Sequence, residues 1–82
     1  MVELALYKFD SCPFCVRVHR AIDRLGVNIE YRDVRETRWW SDLLERTGRT
    51  QVPCLFVDGE PMFESLDIVD WLERSFERQA VS

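Results

Sequence analysis

The sequence predicts an α/β fold of element order β-α-β-α-β-β-α, a four-stranded mixed sheet with three helices. Three observations predict it. An N-terminal segment of strand formers gives way to a helical pattern that starts with "CPFC", Cys12 to Cys15. Alternation in "VNIEYRDV" places a second strand after a glycine stop. Further on, "VPCLFV" and "EPMF" flank Asp58-Gly59, a hairpin turn signal.

Leu4, Leu6 and Phe9 make 3–9 the first strand. The first helix is expected from Pro13 to Leu25. Proline suits the first turn, where its missing N–H costs nothing. Phe14, Val18, Ala21, Ile22 and Leu25 recur at helical spacing. Ser11 or Cys12 stands at its cap and Gly26 at its C-terminal stop. The second strand falls in 27–34. Two strands joined by one helix should run parallel, with a right-handed crossover. A second helix is expected over 38–46, with Thr37 as its cap and Gly48 past its end. The apolar run 52–57 is too short for a helix and reads as strand three. Residues 60–63 form strand four, antiparallel to it. Ser65 is expected to cap a last helix carrying Leu66, Ile68, Val69, Trp71, Leu72 and Phe76. Trp39 and Trp40 are adjacent on the second helix and cannot both face one core, so one belongs at the surface.

At 82 residues the chain fits one domain, 1–82, with a modest core and a polar tail at about 78–82. Its 46% apolar and 32% charged residues are those of a soluble globule. A net charge of −4 argues against nucleic-acid binding, which calls for a basic excess. Basic residues still gather locally at Arg17, His19, Arg20 and Arg24, and at Arg32, Arg35 and Arg38. No apolar run approaches the ~20 residues that span a bilayer. The opening "MVELALYKF" lacks a basic n-region and reads as a strand rather than a signal peptide. A cytoplasmic setting with reduced thiols is expected.

Three cysteines are an odd count and too few for a disulfide framework. Cys12 and Cys15 therefore point to redox or metal chemistry. The thiolate is the nucleophile, so redox work calls for a depressed pKa. A helix N-terminus offers unpaired N–H groups and the positive end of a dipole. Cys12 at the cap would have both. Cys15, one turn inside, would attack a mixed disulfide formed on Cys12, and Pro13 would fix the turn between them. The alternatives are half of a metal site or two packed thiols. Zinc takes four N or S ligands, and the remaining candidates are Cys54 and His19, so no metal is expected. His19 lies about 10 Å from Cys12 by helix rise. It reads as a solvated helix histidine, with tuning of Cys15 as the lesser reading. Cys54 reads as a packed thiol, or less readily as a regulatory partner of Cys12.

"CPFC", then "RTQVPCLFVDG", then an acidic-polar pair opening the last helix together resemble a glutaredoxin, over about residues 2–75. The resemblance implies a thioredoxin-like fold, glutathione-dependent thiol–disulfide exchange and a cis peptide at Val52-Pro53. It implies that the Val52 main chain pairs with the cysteinyl part of glutathione and that Pro53 shapes the groove. Gln51 stands where the family often has threonine, and Phe14 where it has an aromatic between the thiols. Glu64-Ser65 is similar to the pair that holds the γ-glutamyl group in the N-terminal domains of glutathione transferases. The physics agrees: Ser65 and backbone N–H groups at a helix start suit a carboxylate, and Glu64 or Asp67 an ammonium.

Two departures from the glutaredoxin pattern stand out. Phe9 occupies the place of a lysine that meets the glycyl carboxylate. Lys8 should point to the other face of the extended chain, leaving Arg49 or Arg38 as replacements. Met62-Phe63 replaces a double glycine, which would put Phe63 near the groove. The function implied is a glutaredoxin-type oxidoreductase with Cys12 and Cys15 catalytic and glutathione as co-substrate. Its expected partners are glutathione and disulfide-containing or glutathionylated proteins, without nucleic acid or membrane, and as a monomer. The rivals are a transferase-like glutathione-binding module with incidental cysteines, and an iron–sulfur carrier. The carrier branch has a single cysteine followed by Gly-Phe-Ser, which this chain lacks.

Overall fold

The computed structural model describes residues 2–76. Its elements are β1 Leu4–Lys8, α1 Pro13–Leu25, β2 Glu30–Asp33, α2 Thr37–Thr47, β3 Cys54–Val57, β4 Glu60–Met62 and α3 Ser65–Phe76. The strands line up as β2-β1-β3-β4. β1 pairs parallel with β2 and antiparallel with β3, and β3 pairs antiparallel with β4. The expected tail at 78–82 lies outside the described residues.

Alternation along β1 divides the interior. Leu6 faces α1 and α3 and packs among Val18, Ala21, Ile22, Leu55, Ile68 and Leu72. Ala5 and Tyr7 face the other way, against Val34, Leu43, Cys54 and Phe56. α1 and α3 pack side by side on the first face. α2 covers the second through Leu43, its one buried residue. Trp39 packs onto this second core while Trp40 remains 46% exposed, as adjacent positions on a helix require. Buried Tyr7 needs a partner for its hydroxyl. It donates to Asp42 of α2 and accepts from Arg32 of β2 at 2.8 Å.

Helix α1 has the expected bounds because both ends are punctuated. Pro13 occupies the first turn, and Gly26 adopts the left-handed conformation at φ 67°. There the Gly26 N–H bonds the Asp23 carbonyl, and the Val27 N–H the Ile22 carbonyl at 3.1 Å, closing a Schellman motif. That closure commits Val27 to the helix end, so strand two starts at Glu30 rather than 27. Val27 and Ile29 pack on the first core without joining the ladder.

Two expected caps sit one residue inside their helices. Glu36, not Thr37, is the N-cap of α2, since its carbonyl takes the N–H groups of both Trp39 and Trp40. Ser65 is the first residue of α3. The preceding Glu64, at φ 70°, accepts the Ile68 N–H at 3.0 Å. Strand three begins at Cys54, after a cis Val52-Pro53 bond. β4 ends at Met62, leaving Phe63 outside the ladder.

Ile68→Ala, at a fully buried site of the first core, should lower stability by about 2–5 kcal/mol, read as a reduced urea midpoint. Leu66→Ala on the same helix is 66% exposed and should stay within about 0.5 kcal/mol of wild type. Equal losses would contradict this placement of α3.

Candidate functional site

Between β1 and α1 the chain turns sharply. The Cys12 N–H bonds the Phe9 carbonyl at 3.3 Å, and the Cys12 carbonyl accepts the Val16 N–H at 3.0 Å. Cys12 thereby becomes the N-cap of α1, with extended backbone, and Pro13 follows in the first turn. Its side chain makes no capping bond, which leaves the sulfur beside the helix's unpaired N–H groups. Cys12 keeps 7% exposure, whereas Cys15 is fully buried. All three cysteines are free thiols.

Burial is the main force that drives the Cys15 thiol up to about 12. Its hydrogen bond with Cys12 and any charge on that sulfur reinforce the shift. A hydrogen bond with the Phe9 backbone and the charge of Lys8 oppose it without reversing it. Cys15 is accordingly a neutral thiol behind a more exposed one. Cys54 is also pushed to about 12 by burial, in the second core opposite Tyr7.

Next to the start of α1 lies a cavity of about 320 Å³. Phe14, Gln51, Val52, Pro53, Glu64 and Ser65 line it together. Segments from α1, the loop before β3 and the start of α3 thus converge on one groove. Two more residues line it that sequence reasoning did not single out, Arg17 and Leu66. A signal for Arg17 was available: it lies three residues after Phe14, hence on the same helix face. Leu66 simply adjoins Ser65.

The polar atoms form two short chains. Arg49 donates to the Gln51 carbonyl oxygen, Oε1, and Gln51 Nε2 donates to Glu64 Oε2, each at 3.4 Å. On the other wall, Arg17 Nη1 donates to Ser65 Oγ at 3.4 Å, and its guanidinium lies 6.0 Å from the centre of the Phe14 ring. Ser65 itself is buried.

The remaining residues fall elsewhere. Lys8 turns from the groove to Asp10 at 2.7 Å and Asp33 at 3.9 Å, above the Tyr31 ring. Of the two candidate replacements, Arg49 reaches the groove residue Gln51, whereas Arg38 stacks on Trp39 and pairs with Glu36 at 3.4 Å. Phe63 does not crowd the groove. It packs against the second core, with the Arg49 guanidinium 4.0 Å from its ring centre. His19 is half-buried rather than fully solvated. It packs edge-on against Tyr31, and its buried Nε2 has no hydrogen-bond partner among the described residues. Burial first, and then the charge of Lys8, lower its pKa, so it is neutral at pH 7. Among the described residues no three His, Cys, Asp or Glu side chains converge to hold a metal ion.

Comparison with known proteins gives the chain a family. Residues 6–80 match the family model described as the glutathione S-transferase N-terminal domain. A probable glutathione S-transferase of Nicotiana tabacum is 32% identical over 82 residues, 99% of this chain but 37% of that protein. Glutaredoxin 3 of Escherichia coli K12 is 26% identical over 61 residues, 73% of this chain and 74% of that one. Among solved structures, glutathione transferase Omega 3C of Trametes versicolor superposes with a TM-score of 0.80 at 25% identity, covering 92% of this chain and 34% of that one. The Leishmania trimeric glutathione transferase TDR1 gives 0.76 at 31% identity, with 89% and 17% covered. The chain thus spans about a third of the tobacco and Trametes transferases, about a sixth of the Leishmania one, and most of the glutaredoxin. With its mixed four-stranded sheet, three helices and cis Val52-Pro53 bond, the chain belongs to the glutathione S-transferase N-terminal domain family, has the thioredoxin-like fold and counts glutaredoxins among its relatives.

Proposed function

We propose that the chain is a glutathione-dependent thiol–disulfide oxidoreductase of the glutaredoxin type. The observation that carries this reading is the dithiol itself: Cys12 at the N-cap of α1, with Cys15 buried and protonated one turn behind it. The Cys12 thiolate attacks one sulfur of a substrate disulfide. A mixed disulfide forms, and the other sulfur leaves as a thiolate that takes a proton from water. Two routes lead onward. Cys15 can lose its proton and attack Cys12, releasing the second substrate thiol and closing a Cys12–Cys15 disulfide, which two glutathione molecules reduce as they become glutathione disulfide. Alternatively, the mixed disulfide left on Cys12 is with glutathione; a second glutathione thiolate attacks the glutathionyl sulfur, breaking its bond to Cys12, so that glutathione disulfide forms and the Cys12 thiolate returns.

The high Cys15 pKa favours the second route, because little Cys15 thiolate exists near neutrality. The groove supports glutathione as the reductant. In this reading the Val52 main chain pairs with the cysteinyl unit and Pro53 shapes the floor. Phe14 and Gln51 flank the ligand, while Glu64 and Ser65 take the γ-glutamyl end. Substrates would be glutathionylated or disulfide-bonded proteins, met by a monomer of a single domain in the cytoplasm.

A second reading has its own support. The chain spans 37% of the tobacco transferase it resembles, and Glu64-Ser65 opens α3 at the groove. On that reading the domain binds glutathione as a module and its cysteines are incidental.

Hydroxyethyl-disulfide reduction separates the two. Cys12→Ser should abolish it, and Cys15→Ser should keep much of it. Wild-type activity in both variants would favour the binding module.

Iodoacetamide at pH 7 followed by peptide mapping should label Cys12 at least about tenfold faster than Cys15 and Cys54, whose burial keeps them protonated. Uniform labelling of the native protein would remove the basis for Cys12 as nucleophile.

Titration with reduced glutathione should shift the amide resonances of Val52 and Ser65. Saturating glutathione with both amides unmoved would point to another reductant.

A further inference from the structure

Arg17 stands in the groove with no carboxylate partner within ion-pair distance among the described residues. Its contacts there are a 3.4 Å donation to Ser65 Oγ and the approach to the Phe14 ring. A donation of 3.4 Å is long for a hydrogen bond, so it yields readily to a stronger acceptor. In the same cavity Glu64 is engaged by neutral Gln51 at 3.4 Å, again a long contact. The groove therefore presents a guanidinium, a buried hydroxyl and a carboxylate. An α-amino acid head group, with its carboxylate and ammonium on one carbon, is the complement of that arrangement.

The geometry points to Arg17 as the residue that selects ligands by their free α-carboxylate, clamping it together with Ser65 while Glu64 receives the ammonium. This rests on the glutathione reading of the groove and assigns the γ-glutamyl end a recognition residue on the dithiol helix. A guanidinium fork can hold both carboxylate oxygens. Charge-assisted bonds of this kind are roughly twice as strong as neutral ones. Arg17 sits two residues beyond Cys15 on α1, and Ser65 begins α3. The carboxylate would bridge the two helices.

The test compares two ligands on three proteins by calorimetry or NMR titration: wild type, Arg17→Gln and Arg17→Lys. The ligands are reduced glutathione and its analogue γ-aminobutyryl-cysteinyl-glycine, which lacks the α-carboxylate. Arg17→Gln should weaken glutathione by about tenfold or more and the analogue by less than about twofold. Arg17→Lys should recover part of the loss for glutathione alone. Parallel losses for both ligands, or no loss for either, would overturn the assignment to Arg17 and leave the glutathione reading standing. Failure of wild-type protein to bind glutathione would overturn that reading, and this inference with it.

Discussion

The 3.3 Å hydrogen bond from the Cys12 N–H to the Phe9 carbonyl ties the dithiol to the central strand. β1 is paired on both edges, so its C-terminal end is held by the whole sheet. The chain leaves that end through one tight turn and enters α1 at Pro13. Phe9 also touches the second thiol, through a backbone hydrogen bond with Cys15. One residue at the strand's edge therefore fixes both sulfurs against the helix start. The packing of Val18, Ala21 and Ile22 against Leu6 then sets the direction of the helix.

Burial is the leading influence on two of the three thiols. Cys15 and Cys54 both stand near 12, and in both burial is the leading cause. They differ in surroundings: Cys54 sits among the side chains around Tyr7, whereas Cys15 is in contact with Cys12. A buried thiol can take part in disulfide exchange only when another sulfur is within reach. That condition separates a participating cysteine from a space-filling one more clearly than protonation does.

Local signals made much of this legible. Pro13 and Gly26 bracket α1, and Asp58-Gly59 marks the β3–β4 turn. The groove residues Phe14, Gln51, Val52, Pro53, Glu64 and Ser65 were nameable through the resemblance to glutaredoxins and transferase N-terminal domains, and they line one cavity. What the sequence hid was tertiary. Ser65 looked like a cap, but its hydroxyl accepts from Arg17 on another helix. His19 looked solvated until β2 brought Tyr31 against it. Phe63 seemed destined for the groove, yet a vacant place beside the second core took it. Periodicity gives a helix its inward stripe but does not say which strand will cover the rest.

The two faces of the sheet are unequally fastened. α1 and α3 share a continuous apolar core, while α2 buries Leu43 and otherwise adheres through the Tyr7–Asp42 contact and through Trp39, flanked by Arg32 and Arg38. Such an element has the least apolar area to lose on detaching, so partial opening by hydrogen-exchange criteria begins there. α2 ends at Thr47, four residues before Gln51 of the groove lining. Excursions of this helix would thus displace the segment that carries Gln51 while the dithiol stays tied to the end of β1.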